Sequence, residues 1–375
     1  MTMYRVIEKA ITNLASKSPV IIIGGPSGYG KKEVAKKLFP NKKVVSFEND
    51  YIRKLAEKSP KTFLLAFPDG LIIVEALRVK GILEAIEYYV NLWGFSPARY
   101  VLTSSYKFLN KFPADKEDSP FASIILTGFS VDELIKLKKA SDNPFEVLFN
   151  GQHPRLLTEK YSPKQAVEEI ISSSMNHPER KINVSNEANF RKFLVSCARA
   201  SGQSLSMNQI AKHTGISAPT AKTWLTILQE LGFASLVPCE DKTPIFFLHD
   251  TGATCSLLGL SSPSSVILDP HRDSLVTAFA LGELMRERLL RNLDLHITAV
   301  IDNNNQQLFI AKWSKKYEIK ICPQVEVTDG YFVWRKTTLK KIILHLGDVT
   351  YTNKGIDCIS WRDWQKFACE LDYFS

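Results

Sequence analysis

A glycine-rich loop between an apolar strand and a helix constrains the fold of this chain more than any other feature. Val20–Ile23 has the pattern of a short buried strand, and Lys31–Phe39 has that of a helix. The loop between them fits G-x-x-x-x-G-K, from Gly25 to Lys31. In such a loop, small residues let backbone N–H groups surround a phosphate, and the helix adds the positive end of its dipole. The order strand, loop, helix predicts an α/β fold that binds phosphate. The alternative is a glycine-rich turn that only joins the two elements.

The position after the loop lysine departs from the pattern that a nucleotide with magnesium requires. It normally holds Ser or Thr, whose hydroxyl ligates Mg²⁺, and here it is Lys32. A second ligand is normally an Asp at the end of an apolar strand, and that position is Val74. Glu75, a carboxylate suited to orient an attacking water, is present. Mg²⁺ is therefore a doubtful cofactor, and we expect hydrolysis to be weak or lost. The residues predicted to bind ATP or a similar nucleotide are Gly25, Gly28, Gly30, Lys31 and Lys32.

Strand and helix patterns continue to alternate over residues 1–140. Further strands are predicted at Lys43–Phe47, Leu71–Val74, Tyr100–Thr103 and Ser123–Leu126. Further helices are predicted at Gly81–Leu92 and Val131–Lys139. This alternation predicts a doubly wound N-terminal domain with a parallel sheet.

The middle of the chain carries a helix-turn-helix pattern over Met207–Gly232. Gly215 allows the left-handed turn between the two helices, and Ser217 can cap the second helix. Two strand-like runs within Phe233–Leu248 then predict a β-hairpin. Together these elements predict a winged helix.

The outward face of the second helix offers polar side chains to a nucleic acid. The predicted contacts are Ser217, Thr220, Lys222 and Thr223. Residues 201–260 hold only three basic and four acidic residues, which makes a weak electrostatic anchor for DNA. Winged helices also serve as structural modules, so binding of double-stranded DNA and a purely structural role both stay open.

The helix and strand patterns of the C-terminal part predict a small α/β domain. Ser261–Ser265 has the composition of a linker, and Leu275–Leu290 has a helical pattern. Strands are predicted at His296–Ile301, Leu308–Trp313, Glu318–Cys322 and Lys341–Leu346.

Composition excludes several other classes of protein. The 375 residues, 45% of them hydrophobic, suffice for two or three domains. The apolar runs are far shorter than the roughly 20 residues of a membrane-spanning helix, so we expect a cytoplasmic protein without a membrane partner. Six cysteines form no CxxC pair, which argues against a zinc ribbon or a disulfide framework. The net charge is +9, and residues 1–150 hold 22 basic and 16 acidic residues, which favours a polyanionic ligand.

Several segments occur in an order that resembles a known family. Phe246–Leu260 reads FFLHDTGATCSLLGL, and Gly128–Leu134 reads GFSVDEL. With the glycine loop, the strand before Glu75, the strand end Tyr100–Ser105 and the helix-turn-helix, they resemble prokaryotic AAA-plus-type ATPases. That family has a P-loop domain, a small lid, a winged helix and a C-terminal domain of unknown function with a restriction-endonuclease-like fold. The resemblance implies ATP binding and association with DNA.

The resemblance also implies a catalytic set. The family's polar sensor, at the end of the fourth strand, corresponds to Thr103 or Ser104, and its strand-end glutamate to Glu75. The arginine that the family has before the fifth strand is absent. The nearest cations are Lys107, Lys111 and Lys116.

The C-terminal domain departs further from the family. The family's EVDF falls on Gln307–Ile310, and its IEVK best matches Val325–Thr328, where only Glu326 keeps its type. A literal Glu-x-Lys also occurs at Glu318–Lys320, with Asp302 upstream. A two-metal site needs converging carboxylates. Charged residues on an ordinary strand explain the pattern as well, so we expect no nuclease activity and no metal site.

These observations predict three domains and two functions. The domains are a P-loop domain in residues 1–143, a helical lid with a winged helix in residues 144–260, and an endonuclease-like domain in residues 266–375. The leading function is binding of ATP or another nucleoside triphosphate, associated with nucleic acid, with hydrolysis weak or lost. The alternative is a non-catalytic DNA- or protein-binding module that acts through the winged helix.

Overall fold

In a computed structural model, the described residues form three β-sheets with helices packed around them. The structure describes residues 5–105, 119–157, 161–177, 182–183, 186–240, 243–291, 295–301, 307–312, 316–327, 334, 336–365 and 367. Over these ranges, no helix combines the length and the apolar character needed to cross a bilayer.

The N-terminal part is a parallel sheet with helices on both faces. Its strands are β1 (Val20–Gly24), β2 (Val44–Ser46), β3 (Ile72–Val74), β4 (Tyr100–Ser104) and β5 (Phe121–Ile125). Its helices are α1 (Ile7–Lys17), α2 (Lys31–Leu38), α3 (Asp50–Lys58), α4 (Pro60–Leu65) and α5 (Ile82–Trp93). The strand order is β2-β3-β4-β1-β5, and all the pairs are parallel. Every residue of β1 and β4 is buried, as expected for central strands covered on both faces. The predicted mixed α/β class with a parallel N-terminal sheet is confirmed.

Helices dominate the middle of the chain. They are α6 (Val131–Lys136), α7 (Pro144–Asn150), α8 (Pro163–Met175), α9 (Glu187–Arg199), α10 (Met207–Thr214), α11 (Ala218–Glu230) and α12 (Thr251–Leu257). Three short strands, β6 (Gln203–Ser204), β7 (Ala234–Val237) and β8 (Ile245–Leu248), form an antiparallel sheet in the order β6-β8-β7. Gly215 takes the left-handed conformation after α10, and the side chain of Ser217 caps α11.

The described residues of the C-terminal part form a mixed sheet that helices precede. The helices are α13 (Pro263–Leu268) and α14 (Arg272–Arg291). The strands are β9 (His296–Ile301), β10 (Gln307–Lys312), β11 (Lys316–Cys322), β12 (Lys340–His345), β13 (Tyr351–Asn353) and β14 (Ile356–Ser360). They pair in the order β13-β14-β12-β11-β10-β9. The pairs β11–β12 and β12–β14 are parallel, and the other pairs are antiparallel.

Helix α14 joins the first sheet to the third. Leu290, near its C-terminal end, packs into the core of the first sheet with Ile7 and Ile11 of α1. Phe279, in its middle, packs against Trp364 in the core of the third sheet. One helix therefore contributes to two cores, so the two sheets are held in fixed relation by apolar burial.

The prediction of a linker at Ser261–Ser265 is wrong. Ser262 caps α13, and its side chain accepts a hydrogen bond from the backbone of Ser265. Pro263 occupies the first turn and Val266 is fully buried. Serine and proline are common both in linkers and at the start of helices, so composition alone did not distinguish the two.

Other predicted elements differ mainly at their ends. Helix α6 ends at Lys136 instead of Lys139, because Lys138 has a positive φ of 55° and cannot continue a helix. Helices α3 and α4 and strands β13 and β14 were not predicted. Helix α4 has 6 residues and strand β13 has 3, too few for a periodic pattern.

Candidate functional site

The glycine loop leads from β1 into α2 at the carboxyl edge of the parallel sheet. A Cβ on Gly25 would lie 2.6 Å from the carbonyl oxygen of Leu126, so the loop and the end of β5 approach too closely for any other residue. Gly28 has a left-handed φ of 80°, and Gly30 directly precedes α2. The first N–H groups of a helix have no partner inside it, so this loop presents donors to an anion.

Lys31 opens α2, and its buried side chain folds back over the loop. Its Nζ donates hydrogen bonds to the carbonyl oxygens of Gly25, at 2.6 Å, and Pro26, at 2.8 Å. It also donates to Oγ of Ser105 at 2.7 Å, and Oε1 of Glu75 lies 3.9 Å away. Burial lowers the pKa of Lys31 to about 8, against the opposing charge of Glu75. The ammonium must exchange these partners for phosphate oxygens if it is to bind a nucleotide.

Ser105 connects Lys31 to Glu75, and the sequence did not single it out. Its Oγ donates to Oε1 of Glu75 at 2.6 Å, and its backbone N–H donates to Oε2 at 3.0 Å. Oγ1 of Thr103 accepts from the backbone N–H of Glu75 at 3.3 Å. Ser104 is buried at the end of β4 and lines an adjoining recess of about 230 Å³. The alternation of side chains along a strand puts residues 103 and 105 on one face, which is the signal that points to Ser105.

A cleft of about 590 Å³ lies above the loop. Its cationic lining residues are Arg5, Lys31, Lys32, Lys37 and Arg155, and its acidic ones are Glu33, Glu48 and Glu75. Val74 lines it as well. At the two positions that normally bind magnesium, the chain thus offers an ammonium and an aliphatic side chain, neither of which is an oxygen ligand. The residues present do not fit a magnesium ion held in the usual way, whereas the cations suit a polyphosphate.

Pro154 and Arg155, which precede α8, also line the cleft, and their neighbours include Glu169 of α8. Glu169 of α8 forms an ion pair with Arg155, and Nε2 of His153 lies 3.1 Å from its Oε2. A Cβ on Gly28 would lie 3.1 Å from Oε2 of Glu169 and 3.5 Å from Cζ of Arg155. The ring of Tyr29, in the loop, packs edge-on against His153, with centroids 4.7 Å apart. Burial acts to raise the pKa of Glu169, but the hydrogen bond from His153 and the charge of Arg155 hold it below its usual value. His153, Arg155 and Glu169 were not among the predicted site residues.

Arg5 closes the N-terminal side of the cleft. It is buried, and its Nε lies 2.9 Å from Oε1 of Glu133. Its Nη2 donates to the carbonyl oxygens of Thr127 and Gly128 at 2.9 and 3.2 Å. Its guanidinium lies 4.2 Å from the ring centroid of Phe129. These contacts fix the start of α1 against the segment that follows β5.

The four residues predicted to contact nucleic acid lie at the start of α11. Oγ of Ser217 accepts from the backbone N–H of Thr220 at 3.2 Å and lies 2.8 Å from its Oγ1. Oγ1 of Thr223 donates to the carbonyl oxygen of Pro219 at 3.1 Å. Ser217, Lys222 and Thr223 are exposed, and Thr220 is half-buried. The hydroxyls are therefore used within the helix, and Lys222 supplies the exposed positive charge of this face.

The C-terminal Glu-x-Lys lies on β11. Glu318 and Lys320 share one face of that strand and are buried, and among the described residues neither carboxylate oxygen of Glu318 has a hydrogen-bond partner. Gln307–Ile310, the segment matched to EVDF, lies next to it on β10. Residues 325–327, from the sequence match to IEVK, do not lie on a strand. Within the described ranges, no group of three or more His, Cys, Asp or Glu residues is placed to hold a metal.

Some residues singled out from the sequence lie outside the described ranges: Lys107, Lys111, Lys116, Asp302 and Thr328.

Comparison with known proteins gives one family match and several structural likenesses. A family model described as a domain of unknown function (DUF8612) matches residues 142–264. No curated protein matches the chain.

Solved structures that resemble the chain include proteins described as ATPases. One is a Walker-type ATPase of Pyrococcus abyssi, 13% identical, with 68% of this chain and 96% of that chain covered and a TM-score of 0.38. Another is AMPPCP-bound DnaA from Aquifex aeolicus, 17% identical, with 60% and 86% covered and a TM-score of 0.28. A third is a signal-transduction ATPase with a tetratricopeptide repeat sensor from Pyrococcus horikoshii, 12% identical, with 77% and 46% covered and a TM-score of 0.24. At these identities and scores, the residues of the cleft, and not the likenesses, carry the proposals that follow.

Proposed function

We propose that this chain binds ATP or another nucleoside triphosphate in the cleft above the glycine loop and hydrolyses it weakly or not at all. The observation that carries the proposal is Lys31, placed at the first turn of α2 beside a loop of glycines and a cleft of about 590 Å³. The backbone N–H groups of the loop and the positive end of α2 favour a phosphate there. Lys31 adds a charged hydrogen-bond donor when it turns from the loop carbonyls to the phosphate.

Lys32 replaces the positive charge of a metal in this proposal. An ammonium beside the phosphates neutralises them without supplying a ligand position for Mg²⁺. Glu75 would orient water in a hydrolysing enzyme, but Ser105 donates hydrogen bonds to both of its carboxylate oxygens. Thr103 and Ser104 would complete the set at the end of β4. A carboxylate engaged in this way is a poor acceptor for a proton from water, so slow hydrolysis is expected.

Nucleotide binding is proposed to control a second surface. Helices α10 and α11 with the β7–β8 hairpin are interpreted as a winged helix, within a unit of residues 144–260 that follows a P-loop domain in residues 1–143. Nucleotide bound between the two units shifts their relative orientation, which exposes or hides the face that carries Ser217, Thr220, Lys222 and Thr223. Double-stranded DNA is the proposed partner of that face, and the cytoplasm is the proposed location.

The part in residues 266–375 is proposed to be endonuclease-like in fold but to lack nuclease activity. A two-metal nuclease site needs carboxylates from neighbouring strands. On β10, the residues opposite Ile319 and Glu318 are Phe309 and Ile310, which cannot bind a metal ion.

A non-catalytic DNA- or protein-binding module that uses no nucleotide is the second candidate. It is favoured by the hydrogen bonds of Lys31, because its ammonium already has three acceptors within the chain.

Thermal unfolding with and without ATP distinguishes the two candidates. ATP at 100 times its dissociation constant should stabilise the wild-type protein by about 2.7 kcal/mol. Lys31→Ala should lose this stabilisation, and Lys36→Ala, an exposed lysine on the same helix, should keep it. Equal stabilisation of the wild type and Lys31→Ala would overturn the proposed site. No stabilisation of the wild type would favour the second candidate.

The DNA partner is tested separately by binding of a DNA duplex at increasing salt. Affinity should fall as salt rises and should be lower for Lys222→Ala than for Lys36→Ala. A duplex affinity that neither salt nor Lys222→Ala changes would contradict DNA binding through α11.

A further inference from the structure

A carboxylate lies directly against the loop that is proposed to bind phosphate. A Cβ on Gly28 would lie 3.1 and 3.3 Å from the two carboxylate oxygens of Glu169. Glu169 belongs to α8, outside the sheet that carries the loop. A nucleotide would bring further negative charge to this place, and like charges repel strongly where water is partly excluded. The partners of Glu169 therefore decide whether its charge opposes or permits phosphate binding.

Glu169 has more than one partner. Arg155 forms an ion pair with it, and His153 lies 3.1 Å from its Oε2. Tyr161 stacks on His153, with ring centroids 4.4 Å apart, and burial together with the nearby charge of Glu169 raises the pKa of its hydroxyl. If Arg155 leaves, His153 remains beside Glu169, so the carboxylate is not left buried without a hydrogen-bond donor.

Arg155 is placed to reach a phosphate as well as Glu169. It lines the cleft, its side chain is 40% exposed, and its Cζ would lie 3.5 Å from a Cβ on Gly28. The planar guanidinium can donate two parallel hydrogen bonds to either a carboxylate or a phosphate. A phosphate on the loop and Glu169 are thus two competing acceptors for one donor group.

We propose that Arg155 exchanges partners when nucleotide binds: its guanidinium leaves the carboxylate of Glu169 for phosphate oxygens, and His153 stays with Glu169. This inference rests on the proposed nucleotide binding. It makes Arg155 a phosphate-binding residue supplied from outside the first sheet, and it makes Glu169 a competitor that lowers the affinity. The exchange also ties occupation of the loop to the position of α8.

Calorimetric titration with ATP and with inorganic triphosphate tests the exchange. Arg155→Gln should weaken binding of both ligands by roughly 10- to 100-fold, the usual effect of losing a hydrogen bond between charged groups. Glu169→Gln should strengthen binding of both several-fold, because the competing charge is removed. Arg155→Lys, which keeps the charge but not the paired donors, should bind with intermediate affinity.

The neighbouring ion pair on α8 provides matched controls. Nη2 of Arg191 lies 2.7 Å from Oε2 of Glu168, and both side chains are largely exposed. Arg191→Gln and Glu168→Gln should leave both affinities unchanged. Unfolding of each variant without ligand shows whether it is folded before its affinity is compared.

The inference is refutable because Arg155→Gln and Glu169→Gln are expected to change the affinity for ATP in opposite directions. Wild-type affinity for ATP in Arg155→Gln would overturn the exchange and leave the proposed nucleotide site intact. Equal weakening of ATP binding by Arg155→Gln and Glu169→Gln would show that the ion pair only supports the structure of the site. That result also overturns the exchange. Failure of the wild type to bind ATP would refute the proposed function and the exchange together.

Discussion

Replacing Lys31 with methionine should stabilise the ligand-free protein at neutral pH. Burial lowers the pKa of Lys31 from 10.5 to about 8, and one pKa unit corresponds to about 1.36 kcal/mol. Holding the ammonium in the folded protein therefore costs about 3 kcal/mol relative to the unfolded chain. Methionine has a similar length and no charge, but the carbonyl groups of Gly25 and Pro26 lose a donor, which costs about 1–2 kcal/mol. The expected net gain in the free energy of unfolding is about 1–2 kcal/mol at pH 7.

The gain should depend on pH with a definite sign. Between pH 8 and 10.5 the unfolded chain binds more protons at Lys31 than the folded protein, so the stability of the wild type rises with pH across that window. The methionine variant has no such rise at this position. The extra stability of the Lys31→Met variant over the wild type is therefore fully present below pH 8 and is lost as the pH approaches 10.5.

Urea unfolding of both proteins at pH 7, 8.5 and 10 measures this difference. Lys32→Met is the matched control, since Lys32 is only half-buried, and it should change stability by less than about 0.5 kcal/mol. A Lys31→Met protein less stable than the wild type at pH 7, or a difference that does not change with pH, would refute the reasoning. The first result would show that the hydrogen bonds of the ammonium outweigh the cost of its burial, and the second would show that folding does not lower the pKa of Lys31.

Three further substitutions test other parts of the structure by urea unfolding. Gly28→Ala should lower the free energy of unfolding more than Gly30→Ala does. Both glycines have a positive φ, but only at Gly28 would a Cβ meet a neighbouring carboxylate. Equal losses of stability in the two variants would contradict that contact. Arg5→Ala should lower stability by about 3 kcal/mol, because it leaves the buried carboxylate of Glu133 without its cation, and addition of Glu133→Gln should recover part of the loss. Ser262→Ala should lower stability by about 1 kcal/mol if the serine caps α13, and no loss would restore the linker interpretation.

The elements that sequence located well are those with local signals. The glycine loop, the apolar strand before it and the lysine-rich helix after it form one continuous stretch, and the structure has β1, the loop and α2 in that order. Helices α10 and α11 were also located, because Gly215 and Ser217 mark the turn and the cap between them.

The parts of the candidate site that sequence missed depend on contacts between distant residues. Arg155 and Glu169 lie near Gly28 in the folded protein, while α8 itself packs into the core of the helical middle part with α9 and α11, and no local pattern encodes that arrangement. Ser105 was missed because the polar sensor was assigned to Thr103 or Ser104, whereas β4 ends at Ser104 and the residue after it donates to both carboxylate oxygens of Glu75.

Titration of ATP by calorimetry, once with Mg²⁺ and once with EDTA, tests the central claim most directly. Because Lys32 and Val74 replace the two usual metal ligands, we predict binding of similar affinity under both conditions. Binding that requires Mg²⁺ would contradict the proposed role of Lys32 and make an active ATPase the better interpretation. No binding under either condition would contradict the nucleotide site itself.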